Sequence, residues 1–340
     1  MTLFRGPRWE EGAFVEGWVE VEAGRIAALG RGAPPRPADV SGVLVPGLVN
    51  AHTHMGDFAL RGRIPDDISL EALVAPPHGL KHRLLAQTPP DALRAGMRAA
   101  LEEARAGATA LVYDFREGGP EGARMLREVA QGRAVVLGRP AAALPEADGL
   151  GLSAIRDAGV EEARAQRDAA RRAGKRFALH WGEAAPESVD ALLDLAPDFA
   201  VHALHASAAD LERVAEARIP LVACPRSNAR LAKRLPDVRA WLDAGVAACL
   251  GSDNAMLQTT GLLDELRFAR EALRGVRPEE LVAMAVDAPR ARLDPPGMRA
   301  WREGEPAGFV ALAPRGSDPL AALFAPDARV LAWGDQPMRS

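Results

Sequence analysis

The chain has 340 residues, of which 48% are hydrophobic and 26% charged, and its formal net charge is -4 at pH 7. A chain of this length can bury a substantial core, as one large α/β domain or as two smaller ones. Both signs of charge are spread along it, so there is no basic surface of the kind that binds nucleic acid, and no apolar run approaches the length of a membrane span. We expect a small-molecule partner and neither nucleic acid nor a membrane.

The cysteine content and the first residues bear on the cellular compartment. Cys224 and Cys249 are the two cysteines of the sequence, which are too few for a disulfide framework. The first residues lack the apolar core of a signal peptide. These features predict a cytoplasmic protein.

Both ends of the chain carry short segments that alternate apolar and polar residues. Residues 13–29 alternate around a glycine-containing turn, as a β-hairpin does, and residues 308–312 and 328–333 indicate short strands. We therefore predict one small β-sandwich domain that residues 1–46 and 298–340 build together.

Between the ends, short apolar runs alternate with helical stretches rich in alanine, arginine and glutamate. Regular alternation of strand and helix is typical of parallel β/α units. The predicted strands are 43–54, 108–114, 134–137, 176–180, 199–202, 219–224 and 246–253, and an eighth could lie near 136–152. We predict that residues 47–297 form an α/β fold, a (β/α)8 TIM-type barrel, with an open doubly wound sheet as the alternative.

The first predicted barrel strand ends in two histidines. In such a barrel the residues that bind and react stand where the strands end. His52 and His54 are two positions apart, so their side chains face the same side of the strand and could bind one metal ion. The alternative is that both histidines cap the strand through hydrogen bonds.

Another predicted strand ends in His180, followed by Trp181 and, after a glycine, by Glu183. His180 could be a third imidazole ligand. Glu183 could take a proton from metal-bound water and return it to the substrate. Trp181 could form a wall of the pocket. A solvated loop pair is the alternative for His180 and Glu183.

Three further residues stand at or near strand ends. Asp253 could ligate the ion, bond to the hydroxide or cap the following helix, and these roles are compatible. His202 ends its strand and could orient the hydroxide or polarise the reacting carbon, with a core histidine as the alternative. His205, three residues later, could support the site or be structural.

In this order the motifs resemble those of the amidohydrolase superfamily, in the branch that includes cytosine deaminase, S-adenosylhomocysteine-type deaminases and triazine chlorohydrolases. The resemblance covers nearly the whole chain. The segments that carry it are 24–26, 46–54, 61–62, 180–183, 202, 224–228 and 251–253.

The resemblance implies a mononuclear metal site. It implies that His52, His54, His180 and Asp253 are the ligands, that Glu183 shuttles protons and that His202 orients the water. Zinc is the expected ion and iron is the alternative. A binuclear branch bridges two ions with a lysine on the fourth strand, and residues 134–137 contain no lysine here. Barrels of this family often pair, so a homodimer is expected.

The resemblance also implies a reaction. We expect a deaminase that replaces the amino group of an aminated purine, pyrimidine or related heterocycle by water. The first alternative is hydrolysis of a cyclic amide or a ring C–Cl bond. The second is a catalytically silent barrel that binds a metal or a metabolite.

Two segments supply candidate substrate contacts. His78, Lys81 and His82 follow the first strand and would overhang the barrel mouth, where they suit an anionic substituent. The alternative for them is a helix start with a solvated basic turn. Arg226 is a second candidate for an anion, and the candidate segment extends through Ser227 and Asn228. Asp114 and Glu117 could accept hydrogen bonds from a base edge or lie in a charged surface turn.

Overall fold

The computed structural model describes residues 1–75, 78–298 and 301–335. The strands are β1 (Thr2–Glu10), β2 (Ala13–Glu22), β3 (Arg25–Arg31), β4 (Val40–Ser41), β5 (Val43–Pro46), β6 (Leu48–His54), β7 (Thr109–Arg116), β8 (Ala134–Gly138), β9 (Gly149–Ala154), β10 (Arg176–Trp181), β11 (Phe199–His202), β12 (Leu221–Ala223), β13 (Ala248–Leu250), β14 (Asp253–Asn254), β15 (Phe309–Leu312) and β16 (Val330–Trp333).

The α-helices are α1 (Leu70–Val74), α2 (Leu80–Gln87), α3 (Pro90–Ala106), α4 (Gly119–Ala130), α5 (Ile155–Ala158), α6 (Val160–Arg172), α7 (Val189–Leu195), α8 (Ala208–Glu216), α9 (Pro225–Ser227), α10 (Val238–Asp243), α11 (Leu262–Ala272), α12 (Pro278–Ala285), α13 (Asp287–Arg292) and α14 (Ala321–Phe324). Short 3-10 segments span Met55–Leu60 and Ala141–Glu146, and a π-helical turn spans Asn228–Ala232. None of the helices in the described ranges is both long enough and apolar enough to cross a membrane.

The strands of the central region form one parallel sheet in the order β13-β12-β11-β10-β9-β8-β7-β6-β14. At its two ends, β13 pairs with β12 and β14 pairs with β6. Only Gly251 and Ser252 separate β13 from β14, so the two segments act as one interrupted strand. The sheet therefore returns to its first strand, and the fold is TIM-barrel-like.

The order of the strands in the sheet distinguishes a barrel from an open doubly wound sheet. A doubly wound sheet changes direction at a switch point, whereas here each strand from β6 to β13 lies beside its neighbours in sequence. The open doubly wound alternative is therefore wrong. The eighth strand expected near 136–152 is β9, Gly149–Ala154.

A second sheet of seven strands joins the two ends of the chain in the order β16-β15-β5-β1-β2-β3, and β4 also pairs with β1. The predicted hairpin is confirmed as β2 and β3, which pair antiparallel. The first strand, Thr2–Glu10, was not predicted. Whether this sheet forms a sandwich, and the predicted domain boundaries, stay predictions; residues 299–300 and 336–340 lie outside the described residues.

The run 43–54, predicted as one strand, is two strands in different sheets. Its first part, β5, pairs with β1 and β15, and its second part, β6, pairs with β7 and β14. Gly47 lies between them, where a Cβ atom would come within 2.5 Å of the Ala110 Cβ. The chain can change sheets at this position because glycine has no side chain to collide.

Alternation along the strands separates two apolar layers. On β10, Phe177, Leu179 and Trp181 pack outward against the helices, whereas Ala178 packs inside the barrel. Phe115 is also inside, and its ring centroid lies 4.6 Å from that of His52. The interior is therefore a packed apolar core that ends in a layer of histidines.

Arg290 stabilises the point at which the chain changes sheets. Its guanidinium donates to the carbonyl oxygens of Gly47 (2.6 Å), Val286 (2.6 Å) and Met298 (3.1 Å). Burial lowers the pKa of Arg290 to about 10, so the group is still charged at neutral pH. One side chain thus fixes the start of β6 to α13.

We expect Arg290→Met to lower the free energy of unfolding by about 2 to 4 kcal/mol, because three carbonyl groups lose their donor. Urea denaturation followed by circular dichroism measures the change. Arg292→Met is the matched control, since Arg292 lies exposed in the same helix. Equal stability of the two variants would contradict this role for Arg290.

Candidate metal centre and active site

Histidine and aspartate side chains converge at the carboxyl ends of the barrel strands. The Asp253 Oδ1 atom lies 3.2 Å from Nε2 of His52 and 3.5 Å from Nε2 of His54. Two sets have ligand atoms within 4.8 Å of one another: His52, His54 and His180, and His52, His202 and Asp253. These side chains come from β6, β10, β11 and β14, and barrel closure brings them together.

A metal ion binds to a ring nitrogen that carries no proton. The hydrogen bonds of the imidazoles therefore test whether an ion fits among them. Nδ1 of His54 donates to the Phe115 carbonyl (3.0 Å), and Nδ1 of His180 donates to the Leu152 carbonyl (2.9 Å). Both rings therefore keep a lone pair on Nε2. His52 is fully buried, yet neither of its ring nitrogens makes a well-aligned hydrogen bond.

Burial lowers the pKa of His52 to about 3, so its imidazole is neutral, the form that binds metals. Three imidazole nitrogens and one carboxylate are a donor set that suits a single zinc or similar divalent ion. The residues present therefore fit the group that the sequence implies.

The Asp253 carboxylate is oriented by its neighbours. Its Oδ2 atom accepts hydrogen bonds from the Ser227 hydroxyl (2.5 Å) and from the Asn254 amide (2.7 Å), which leaves Oδ1 facing the histidines. The backbone φ of Asp253 is 61°, in the left-handed region that side chains rarely adopt. Such strain is characteristic of functional positions.

His202 and Glu183 lie side by side next to this cluster of histidine and aspartate side chains. The Asn228 amide nitrogen donates to Nδ1 of His202 (3.0 Å), so the proton of the neutral ring is on Nε2. That nitrogen lies 3.6 Å from Oε2 of Glu183, whose side chain is 17% exposed. Burial raises the pKa of the Glu183 carboxyl, and His202 acts in the opposite direction. Glu183 is thus suited to give and take protons.

A pocket opens above these side chains, and Glu183, His202 and Asp253 are among the residues that line it. Lys81 and His82, predicted as substrate contacts, also line the pocket. Nε2 of His82 donates to the Val74 carbonyl at 3.1 Å.

Lys81 has partners of its own, which corrects the expectation that its charge is free for the substrate. Its ammonium lies 2.9 Å from Asp57 Oδ2 and 2.8 Å from Glu117 Oε1, and its side chain is 3% exposed. Burial opposes the charge of Lys81, but the two carboxylates outweigh it and hold its pKa above the ordinary value. Glu117 also lies 3.2 Å from Nδ1 of His54. Lys81 therefore links α2, at the pocket, to the histidine strand.

Other predicted contacts lie apart from the pocket. Trp181 is one residue from His180 on a strand, so its side chain faces the helices and not the pocket. The Arg226 guanidinium binds Glu265 (2.5 Å) and Thr259 (2.7 Å), and these bonds hold it outside the pocket lining.

Two of the predicted histidines also lie outside the pocket lining. Nδ1 of His205 lies 3.3 Å from the Arg234 guanidinium, and His78 is exposed. Ser227 and Asn228 are buried, where they bond to Asp253 and His202. These two residues therefore orient other side chains of the site.

Sequence reasoning missed three residues of the site region. Arg139 and Arg156 line the pocket. Asn50 donates to the Ser252 hydroxyl (2.8 Å) and the Thr260 carbonyl (3.0 Å), and so joins the first and last barrel strands. Asn50 could have been identified from the sequence, because it lies two residues before His52 and therefore on the same face of the strand.

A parallel barrel with clustered imidazoles at its carboxyl end is the architecture of hydrolases that activate water with a metal ion. The chain belongs to the amidohydrolase family, whose model matches residues 43–200 and 158–286. The predicted membership of this superfamily is confirmed.

Several curated relatives are similar to this chain. An Archaeoglobus fulgidus protein named provisionally as an aminohydrolase is 36% identical over 238 residues, 67% of this chain and 68% of its own. The 5-methylthioadenosine/S-adenosylhomocysteine deaminase of Halobacterium salinarum is 31% identical over 295 residues, 74% of this chain and 67% of its own. The aminodeoxyfutalosine deaminase of Deinococcus radiodurans is 39% identical over 87 residues, 25% of this chain and 21% of its own. Deaminases, which hydrolyse C–N bonds, are thus among its relatives.

Solved structures share the fold. An adenosine deaminase from Xanthomonas campestris with bound zinc has a TM-score of 0.79 at 20% identity, covering 99% of this chain and 92% of that one. The atrazine chlorohydrolase of Arthrobacter aurescens, complexed with zinc, has a TM-score of 0.78 at 19% identity, covering 100% of this chain and 97% of that one. Members of the fold therefore include both a deaminase and a chlorohydrolase.

The proposed ligands predict that about one zinc ion binds to each chain. Mass spectrometry of the metal after dialysis measures this zinc content. We expect His180→Asn to weaken zinc binding by more than about 100-fold, because even residues that only support a ligand contribute about 10- to 100-fold. His205→Asn is the control and should keep its zinc. Full zinc content in His180→Asn would exclude His180 as a ligand.

We expect Lys81→Met to lower the free energy of unfolding by about 3 to 5 kcal/mol, because it leaves the buried Asp57 carboxylate without its cation and removes one cation from the buried Glu117 carboxylate. Thermal and urea denaturation measure the effect. Adding Asp57→Asn should recover part of the loss, since its unpaired charge is then removed. Lys233→Met, at an exposed position, is the control. Unchanged stability in Lys81→Met would show that the ion pairs are not formed.

Proposed function

We propose that the protein is a metal-dependent deaminase that replaces the exocyclic amino group of an adenine-type nucleoside by water. The observation that carries the proposal is the position of Glu183 and His202. They lie 3.6 Å apart beside a set of side chains that suits one divalent ion. A proton-transfer group and a hydrogen-bond donor at this place are what hydrolysis of an amidine requires.

The metal ligands proposed are His52, His54, His180 and Asp253. An ion bound there, zinc in the first instance and iron as the alternative, would supply a water of lowered pKa. The remaining chemistry falls to side chains of this chain. The Nδ1–H bonds of His54 and His180 to backbone carbonyls keep both rings in the tautomer that binds through Nε2.

Glu183 moves the protons. Its carboxylate takes a proton from the water and delivers it to the ring nitrogen next to the carbon that bears the amino group. Oxygen then bonds to this carbon as the C=N π bond opens onto the protonated ring nitrogen. Glu183 carries the remaining proton of that oxygen to the amino group, and the C–N bond breaks to release ammonia. His202, with its proton on Nε2, donates to the oxygen as negative charge develops on it.

Relatives support an adenine-type substrate. The names of the Halobacterium and Xanthomonas proteins specify adenosine or derivatives of adenosine. The purines among the predicted heterocycles are therefore favoured. A homodimer and a cytoplasmic location remain predictions.

The test is ammonia release by zinc-loaded protein from adenosine, 5-methylthioadenosine, S-adenosylhomocysteine and aminodeoxyfutalosine. We expect turnover of at least one of them, and a loss of about 100- to 10,000-fold in Glu183→Gln at unchanged zinc content, because the proton shuttle is removed. Glu216→Gln, at an exposed helix end, is the control.

The other outcomes separate the alternatives. Chloride release from a chlorinated triazine, with no ammonia from the nucleosides, would replace the proposal by C–Cl hydrolysis. Nucleoside binding that Glu183→Gln leaves unchanged, with no turnover of any substrate, would indicate a silent metabolite-binding barrel.

A further inference from the structure

Glu183 stands on the loop that follows β10. The strand ends at Trp181 and α7 begins at Val189, so Glu183 lies between regular elements. Its carboxylate accepts no hydrogen bond within the part of the chain that the structure describes, and Nε2 of His202 lies 3.6 Å from it. The position of this carboxylate therefore depends on how the backbone of its loop is held.

Gly182, the residue before Glu183, sets the direction of the loop. Its φ of 61° lies in the left-handed region, which glycine adopts without strain. Its N–H donates to Oε2 of Glu187 at 2.8 Å, and its carbonyl accepts from the His205 N–H at 3.2 Å. The backbone beside Glu183 is thus held on both sides, and on one of them by a carboxylate.

Glu187 has a fixed position of its own. It comes directly before Ser188, whose hydroxyl accepts from the Ala191 N–H at 3.3 Å and so caps the start of α7. The next residue, Val189, is buried in the apolar core. The start of α7 is therefore a firm base from which Glu187 can hold the loop.

The Glu187 carboxylate joins the ends of two neighbouring strands. Its Oε1 atom accepts from the backbone N–H of Arg156 at 2.9 Å, and its Oε2 atom accepts from Gly182. Arg156 lies in α5, which follows β9, and β9 pairs with β10. Hydrogen bonds to an ionised acceptor are about twice as strong as those between neutral groups. One side chain therefore ties the loop of Glu183 to the end of β9.

From these contacts we infer that Glu187 is a positioning residue for proton transfer. Its carboxylate fixes the backbone of Gly182 and so holds Glu183 beside His202 and the proposed metal ligands. This role rests on the proposed function for the reaction and on the contacts of Glu187 for the anchor. Glu187 also lines the pocket, but both of its oxygens already accept backbone hydrogen bonds, so we assign it no contact with the substrate.

Glu187→Ala removes both acceptors, and we expect it to lower kcat by about 10- to 100-fold, because a misplacement of about 1 Å costs a reaction this much. KM and zinc content should change by less than about twofold, since Glu187 is assigned neither to the substrate nor to the ion. Glu187→Gln keeps one of the two acceptor oxygens and should retain part of the rate. Ammonia release from the nucleoside that the parent protein deaminates gives both constants. Glu212→Ala, at an exposed position of α8, is the control.

A double variant separates positioning from a general loss of structure. If Glu187 acts through Glu183, adding Glu187→Ala to Glu183→Gln should lower the residual rate by less than about twofold, because residues that act as a unit are not additive. A full further loss of about 10- to 100-fold in the double variant would overturn the role, since Glu187 would then act elsewhere.

Amide hydrogen exchange, followed by NMR, tests the anchor without any substrate. In Glu187→Ala the Gly182 amide should exchange about tenfold faster or more, whereas the Ala178 amide, within β10, should keep its protection. Unchanged exchange at Gly182 would overturn the anchor, and a raised KM at unchanged kcat would make Glu187 a substrate contact instead. If the parent protein deaminates none of the nucleosides, the deaminase proposal fails, while the exchange result still decides whether Glu187 holds the loop.

Discussion

The site depends on how the last barrel strand meets the first. Asn50 donates to Ser252 and Thr260, and the Ser252 backbone amide donates to the Asn50 side chain (3.0 Å) and to the His52 carbonyl (3.1 Å). These bonds set Asp253 opposite Thr53. An aspartate about two hundred residues from the histidines in sequence is thereby placed 3.2 Å from His52 and 3.5 Å from His54, and the pocket and the proposed metal ligands lie around that junction.

Much of the site could be predicted from the sequence, because its residues stand at the ends of strands. Apolar runs that stop at His52, His180, His202 and Asp253 predict a shared edge of a parallel sheet, and the structure brings these side chains together. The same rule of alternation, applied to Trp181, places it on the opposite face from His180. The sequence position of Trp181 therefore already indicates the outer apolar layer in which the structure places it.

What could not be predicted depends on contacts between distant segments. The sequence shows Lys81 in a basic stretch beside two histidines, which suggests a free cation; its partners Asp57 and Glu117 are supplied by other elements of the fold. Arg139 is one of many arginines in the chain, and only its position in the lining of the pocket distinguishes it. Charge in a sequence therefore indicates little until the fold shows which charges are compensated.

The change of sheet at Gly47 connects the terminal sheet to the strand that carries His52 and His54. Only Gly47 separates β5 from β6, so the strand that carries His52 and His54 is held at its start by the terminal sheet and by Arg290. A slip of one residue in β6 would turn both imidazoles away from the pocket. The terminal sheet thus fixes the register of the strand that carries two of the proposed metal ligands, and a change in the terminal strands would also affect the position of those histidines.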